Sequence, residues 1–497
     1  MCGIWGLLSC DVIDLSYGNM YDLFQTIKNR GPDKSTFIQN TNYVVGFHRL
    51  AIMDQSVNGD QPFSYSYKND SILHTIYLIC NGEIYNYKKL KEETFFDYKS
   101  NSDCEVLLAL YLKYKNLNFV EKINGEFAFA IYEIKHDLTT NTISYSLDLA
   151  RDNFGIRPLF FTKIDNLFGF SSELKGLINL KDNNKIDVFP PGSTMKINFQ
   201  FGEMNMTTIN VKKNSIPSIL SQGQEPDYEF IYENIRKEFT DAVTIRMESH
   251  RELGCLLSGG LDSSLVAAIA AKELKKENKK LLTFSIGMPE SPDAKNAQIV
   301  ADYIGSIHTN VVLPEEEWLN ALKQVIKVSE TFDITTIRAS TGQYLISKWI
   351  SENTNIKVLL IGDGSDELTG GYLYFHKAPN GYELDLECKR LLNDIYYYDV
   401  LRADRGVASN GLEARVPFLD VNFVNLYLSI DPELRMPKKH VLSTGETNIY
   451  EKYLLRKSFD KTDLLPEQIL WRKKEAFSDG VSSQEKSWYE IIKEDIN

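Results

Sequence analysis

Hydrophobic and polar positions change their rhythm near the middle of the chain. The first two hundred residues hold short runs of β type: Tyr43–Phe47, Ile72–Cys80, Phe127–Ile134, Ile143–Leu149, Leu159–Phe161 and Leu167–Phe170. Two helical stretches interrupt them, near Met20–Lys28 and Cys104–Tyr114. The pattern predicts stacked antiparallel sheets with helices packed outside them. Residues 211–227 (VKKNSIPSILSQGQEPD) are polar and aperiodic, with proline and glycine, and read as a linker. Beyond them strands alternate with longer helices. The predicted strands are Leu253–Leu257, Leu281–Ile286 and Lys357–Ile361; the helices are Ser263–Lys276, Ala294–Ile304, Trp318–Ser329 and Thr341–Asn353. Such alternation predicts a parallel sheet covered on both faces. From about Leu384 the chain reads as mainly helical, and it contains no internal repeat.

Composition narrows the classes of function. With 497 residues there is room for two or three domains, and 43% hydrophobic content suffices for ordinary globular cores. A formal charge of −13 leaves no basic surplus to neutralise a phosphate backbone, which argues against a nucleic-acid partner. Small phosphorylated ligands need only local donors and stay open. Six cysteines, at 2, 10, 80, 104, 255 and 388, show no CxxC spacing, so reduced thiols are expected. No apolar run approaches the ~20 residues that span a bilayer, and the start lacks the pattern of a signal peptide. A soluble cytoplasmic protein without a membrane partner is the expectation.

The most informative stretch is LLSGGLDSS, Leu256–Ser264. An apolar strand runs into Ser258, Gly259 and Gly260, and a helix opens near Asp262. Backbone N–H groups at such a junction form an anion site that the helix dipole supports. A tight turn capped by serines is the plainer explanation, but SGGxDS in this setting favours pyrophosphate. No GxxxxGK[ST] occurs, which points to cleavage of ATP between its α- and β-phosphates. A second loop, GDGSDELTGGY (Gly362–Tyr372), sets Asp363 and Asp366 at the carboxyl end of another predicted parallel strand. Asp262 and Asp366 could bridge Mg2+ to pyrophosphate oxygens, since hard oxygen ligands suit that ion.

Four polar stretches mark the first half: RGPD (Arg30–Asp33), FHRLAIMD (Phe47–Asp54), CNGEIYN (Cys80–Asn86) and SDCEVLL (Ser102–Leu108). Each has an ordinary explanation. Asn-Gly is a common hairpin turn, and Ser102 with Glu105 reads as a capping box. Together they describe a glutamine pocket. Arg49 would grip the α-carboxylate, Asp103 with Glu83 the α-ammonium, and Asn81 with the Gly82 N–H the oxyanion of an amide under attack. The nucleophile is supplied at the other end of this half, by MCGIWG. The plainer explanation of a cysteine behind the initiator methionine is the start of a buried strand. With Met1 removed, however, Cys2 joins a thiol to a free α-amine that can act as its base.

Carried on MCGI, RGPD, HRLAI, NGEIYN, SDCE, SSELKGL, PPG, SGGLDSS, SPD, DITTIRAS, GSDEL, LRADR, EARVPFLD and WRKKEAFSDG, the chain closely resembles the glutamine-dependent asparagine synthetase family over essentially its whole length. The resemblance implies an N-terminal-nucleophile glutaminase domain, an αββα sandwich over residues 2–210. A Rossmann-like ATP-pyrophosphatase domain with a helical end would follow the linker, over residues 228–497. It implies Cys2 as nucleophile, and glutamine binding by Arg49, Leu50, Ala51, Ile52, Met53, Asn81, Gly82, Glu83 and Asp103. For ATP it implies Leu256, Ser258, Gly259, Gly260, Leu261, Asp262, Ser263, Ile286, Ile361 and Gly362. Thr335, Thr336 and Arg338 match residues for aspartate, and Lys474 a lysine facing pyrophosphate. The substrates implied are glutamine, aspartate and ATP with Mg2+. Members are often homodimers, which makes a second copy of the chain an implied partner.

Some positions depart from the family pattern: Asn29 replaces a usual histidine, Asn153 a frequent proline, and Asp363 stands where many members carry glutamate. Asp363 is assigned to the synthetase chemistry, so a side chain shorter by a methylene bears on positioning. Alternatives are a related amide-forming ligase of the β-lactam synthetase type, a phosphoribosyl-transferring amidotransferase, and a non-catalytic glutamine- or ATP-binding homologue. The retained Cys2 opposes the first, and SGGLDSS with GDGSDEL opposes the second. The intact set of polar residues opposes the third.

Overall fold

In the first strand, β1 (Gly3–Ser9), Ile4 and Leu8 join one apolar cluster while Trp5 and Leu7 join another. A strand buried on both faces belongs in the middle of a layered structure. The computed structural model describes residues 1–200, 203–210, 225–475, 480–482 and 486–496. The chain divides into two compact units, Met1–Asn214 and Ser215–Asn497. Of the stretch read as a linker, residues 211–224 lie outside the described residues.

In the N-terminal unit β1 is followed by β2 (Lys34–Gln39), β3 (Tyr43–Arg49), β4 (Phe63–Asn69), β5 (Ile72–Ile84), β6 (Gly125–Asp137) and β7 (Thr142–Arg151). Then come β8 (Phe160–Ile164), β9 (Leu167–Ser171), β10 (Ile186–Val188), β11 (Ser193–Gln200) and β12 (Glu203–Asn210). They form two sheets, ordered β10-β8-β9-β1-β3-β2 and β12-β11-β7-β6-β5-β4, and the pairs are antiparallel. Ile4, Val45, Phe47 and Phe170 of the first sheet share a core with Ile79, Ala130, Tyr132, Leu149 and Ile197 of the second. Outside the first sheet, Met20 and Phe24 of helix Tyr17–Gln25 pack on Trp5, Leu7 and Val44. Outside the second, helix Val106–Tyr114 packs on Leu78, Cys80, Phe127, Phe129 and Ile131. The layers are therefore helix, sheet, sheet, helix, produced by the two-residue alternation of strands such as Phe127–Tyr132.

The C-terminal unit is built on five parallel strands: β13 (Leu253–Leu256), β14 (Leu282–Gly287), β15 (Ile307–Val312), β16 (Val358–Leu360) and β17 (Glu413–Arg415). Their order is β15-β14-β13-β16-β17. The chain steps outward from β13 to β15, then returns to the other side of β13. That reversal puts a crevice beyond the carboxyl ends of β13 and β16, where open parallel sheets bind ligands. Long helices follow the strands, Leu261–Lys276 after β13 and Ile334–Asn353 before β16. Helices make up most of the chain from Gly381 onward.

Strands β5, β6 and β7 run longer than apolar periodicity alone predicted, while β13 and β16 run shorter. Helix Ile334–Asn353 starts seven residues before Thr341, because Asp333 caps it by accepting the Thr336 N–H at 2.7 Å. Strands β2, β4, β10, β11, β12, β15 and β17 escaped the reading; most are short or carry polar outward faces, so the apolar signal is weak. The capping box at Ser102 is replaced by a different device. Glu105 reaches back to the Lys99 and Ser100 N–H groups, and the helix begins at Val106. All six cysteines are free thiols. Among the described residues, no helix is long and apolar enough to cross a membrane.

Candidate active sites

Cys2 stands at the head of β1, half-buried. The Leu50 N–H points to its sulfur at 3.4 Å, and the thiol faces the Leu50 carbonyl at 3.7 Å. Arg30 of RGPD donates to the Cys2 carbonyl at 2.9 Å and to Glu173 of SSELKGL at 2.9 Å. Ser172, from the same stretch, accepts the Ile4 N–H at 2.9 Å. Two motifs distant in sequence thus clamp the start of β1. Met1 is buried, and its sulfur accepts from Arg157 at 2.6 Å.

Asn81 and Gly82 do not form a turn. They lie inside β5, paired with Ala128 and Phe127 of β6. A Cβ on residue 82 would meet the Glu126 carbonyl oxygen at 2.1 Å, so only glycine fits there. Asn81 is fully buried, and neither its amide oxygen nor its amide nitrogen has a hydrogen-bond partner among the described residues. Leaving such groups unsatisfied costs ~1–3 kcal/mol each, an expense that proteins retain where a ligand completes the set.

Hydrogen bonds tie the remaining glutamine residues together. Asp54, closing the HRLAIMD stretch, accepts the Asn101 N–H at 2.7 Å, and Asp103 accepts the Ile84 N–H at the end of β5 at 2.6 Å. Asp33 of RGPD accepts the Ala51 N–H at 2.8 Å. Leu50, Ile52, Met53 and Glu83 are buried alongside. Arg49 is held within its own loop: it donates to Asp60 at 2.6 Å, to the Ser56 carbonyl at 2.8 Å, and to the Asp54 carbonyl.

In the C-terminal unit a cavity of about 660 Å³ opens at the carboxyl edge of the sheet. Leu256, Ser258, Gly260, Leu261, Asp262 and Ser263 line it from one loop, and Ile361, Gly362, Asp363 and Asp366 from the other. Of the other predicted residues Ile286, Thr335, Thr336 and Lys474 also line it, whereas Gly259 does not. Gly259 carries φ +73°, a conformation that suits glycine, and a Cβ there would strike the Asn296–Ala297 backbone at 2.5 Å. Arg338 is not among the lining residues. Its guanidinium lies 5.3 Å from the Tyr489 ring, and its carbonyl accepts from Trp488.

The floor of the cavity is a charge cluster. Lys452 is buried, with its ammonium 2.7 Å from Asp262 and 2.5 Å from Asp366. Lys474 approaches the other oxygen of Asp366 at 2.5 Å. Burial works to raise the Asp366 carboxyl, but Lys452 and Lys474 outweigh it and hold the group well below the usual carboxylate range. Burial likewise opposes a charged Lys474, yet Asp366 and Asp262 push its pKa up. Beside this cluster Asp363 accepts from Gln343 at 2.8 Å and from Arg402 at 3.1 Å. Burial raises the Asp363 carboxyl, with Arg402 pulling against it.

Comparison with known proteins covers both units of the chain. Residues 1–202 match the family model described as a glutamine amidotransferase domain, and residues 234–387 and 380–496 match that described as asparagine synthase. The chain is 44% identical over 520 residues to the glutamine-hydrolysing asparagine synthetase of Gallus gallus, covering 100% of this chain and 87% of the relative. The corresponding Homo sapiens protein is 42% identical over 517 residues, covering 99% and 87%. The chain belongs to the asparagine synthetase family. Among solved structures, an allosteric regulatory enzyme of purine biosynthesis matches with a TM-score of 0.33 at 14% identity, over 63% of this chain and 80% of that one, too slight a likeness to argue from.

Among the polar residues of this cavity that the sequence reading did not assign are Lys452, Arg402 and Gln343. Lys452 sits in an unremarked EKY stretch, and only the fold carries it 190 positions back to Asp262. Arg402 was visible within LRADR but without a partner. In the N-terminal unit, Arg30 and Glu173 were quoted in motifs, while their clamp on Cys2 was not foreseen.

Proposed function

We propose that the chain makes asparagine from aspartate, ATP and glutamine in two half-reactions, one for each unit. In the first, the Cys2 thiol, freed of Met1, attacks the glutamine carboxamide while its α-amine takes and returns the proton. Asn81 and the Gly82 N–H stabilise the oxyanion, and the buried amide nitrogen of Asn81 then gains a partner that it lacks among the described residues. Hydrolysis of the thioester yields glutamate and ammonia. Arg49 holds the α-carboxylate and Asp103 with Glu83 the α-ammonium; Arg49 must exchange one of its loop partners to do so.

In the second half-reaction the aspartate β-carboxylate attacks the α-phosphorus of ATP. Pyrophosphate departs into the Ser258–Ser264 loop, met by Lys474, and β-aspartyl-AMP remains. Asp262 and Asp366 would hold Mg2+ together with substrate phosphates, its usual ligands, and the Lys452 ammonium now between them would have to share those carboxylates with the ion. The ion would supply charge neutralisation for the leaving pyrophosphate. Ammonia then displaces AMP, and Asp363 accepts the proton that the new amide loses. Thr335 and Thr336 face the aspartate; Arg338, turned to Tyr489, can serve it only through the helix it shares with them.

What carries this reading is the convergence of the Ser258–Ser264 loop, Asp363, Asp366 and Lys474 on one cavity at the edge of a parallel sheet. The test is a product assay with glutamine, aspartate and magnesium-ATP. Asparagine, glutamate, AMP and pyrophosphate in equal amounts are expected; ADP in place of AMP would overturn the reading. Intact-mass spectrometry should show Met1 absent from active preparations.

A further inference from the structure

Gln343 has no part in the chemistry above, yet it is built into the same cavity. It lies on helix Ile334–Asn353 with Thr336, Ala339 and Ile346, which line the cavity from one helical face. Its side-chain nitrogen donates to Asp363 at 2.8 Å. Its side-chain oxygen is buried and has no hydrogen-bond partner among the described residues. Gln343 is 7% exposed, so bulk water does not meet this need. A buried acceptor of this kind calls for a donor that arrives with a ligand.

We propose that Oε1 of Gln343 is the acceptor that seats the ammonia nucleophile beside Asp363. The proposal rests on the asparagine-forming reaction described above. Ammonia has three N–H donors and one lone pair, and it attacks only if the lone pair is left free. An amide oxygen suits that task because it accepts an N–H without taking the proton. A carboxylate alone suits it less, since both oxygens of Asp363 already receive donors, from Gln343 and Arg402. The amide of Gln343 is planar and anchored through its nitrogen to Asp363, so a nitrogen held at Oε1 stays next to that carboxylate. As the C–N bond forms, the tetrahedral adduct loses one proton to Asp363. The C–O bond to phosphate then breaks, and AMP leaves with the electron pair.

The test uses the whole protein with ammonia in place of glutamine. Gln343→Met keeps the length and removes the acceptor. We expect the KM for ammonia to rise about tenfold, the worth of one hydrogen bond to a buried polar group. Pyrophosphate released should exceed asparagine formed, as the adenylate waits and is lost to water. Aspartate-dependent ATP–pyrophosphate exchange without ammonia should be unchanged. Gln343→Leu also removes the acceptor and should raise the ammonia KM about tenfold, a result that stands even if the Met variant does not fold. An unchanged ammonia KM in either folded variant would overturn the proposal. So would a raised aspartate KM in the exchange assay, which would assign the acceptor to the aspartate α-ammonium. Absence of exchange in the unmodified protein would instead refute the synthetase chemistry itself.

Discussion

At the Cys2 sulfur and the amide it would attack the groups on offer are dipoles, the Leu50 N–H and the Asn81 amide. The charges of Arg49, Asp103 and Glu83 are proposed only for the far end of glutamine. The cavity of the C-terminal unit instead presents fixed charges, with Lys452 and Lys474 locked onto Asp262 and Asp366. The difference follows the charge each reaction develops. Glutamine hydrolysis creates one oxyanion on a neutral amide, which two aimed N–H donors can match. Adenylation expels a polyanion, and only cations offset that much charge. Arginines are not scarce near Cys2; they are spent on structure, Arg30 on the Cys2 carbonyl and Arg157 on Glu126.

The contrast breaks most visibly at the nucleophile. Cys2→Ala should abolish glutamine-dependent synthesis and leave ammonia-dependent synthesis within about twofold, because the second site holds none of its chemistry in the first unit. Loss of both in a folded protein would end the two-site picture. Asn81→Ala should lower glutaminase kcat by ~10²–10³-fold with a modest change in KM, the signature of a donor engaged in the transition state. Steady-state glutaminase assays read this directly.

Lys474→Met should lower synthesis by ~10²-fold from either nitrogen source while sparing glutaminase, since the charge it removes lies in the C-terminal cavity beside Asp366. Equal damage to both activities would mean that the lysine is structural. The smallest effect concerns acid. Burial lowers the His48 pKa to about 4, although its bond to the Phe24 carbonyl works the other way. The unfolded chain takes up this proton near pH 6.5 and the folded one only near 4, so stability falls as pH drops through that window. At pH 5.5 this amounts to ~1 kcal/mol. Asp293, in the second cavity, has the opposite sign: burial raises it to about 6 against the pull of Arg472, and acid relieves its charge. Thermal melts of His48→Gln should show a flatter acid dependence than the unmodified chain, whereas Asp293→Asn should show a steeper one.

Much of this was legible in the residues, and the limits are instructive. SGGLDSS and GDGSDEL announce a ligand site because glycine, serine and aspartate at strand ends have few other uses together. Asn81-Gly82 could be read as a turn or as a donor pair, and only the pairing of β5 with β6 removes the turn. Arg338 shares a motif with Thr335 and Thr336 yet points to Tyr489, because a helix distributes neighbouring residues over different faces. Gln343 carried no signal at all. A glutamine within a helix is unremarkable until its oxygen is found buried without a donor.

The sequence by itself determined the local chemistry: alternating strands that must bury both faces, glycines where backbone must come close, and a cysteine placed to become an N-terminal nucleophile. These properties follow from spacings of a few residues, over which the chain's geometry is nearly independent of its surroundings. The tertiary structure alone decided which charges meet. Lys452 reaches Asp262 across 190 positions, and Arg30 reaches Glu173 across 143. Such pairs form where desolvation makes an unpaired charge costly, and burial is a property of the whole packed unit rather than of any stretch within it.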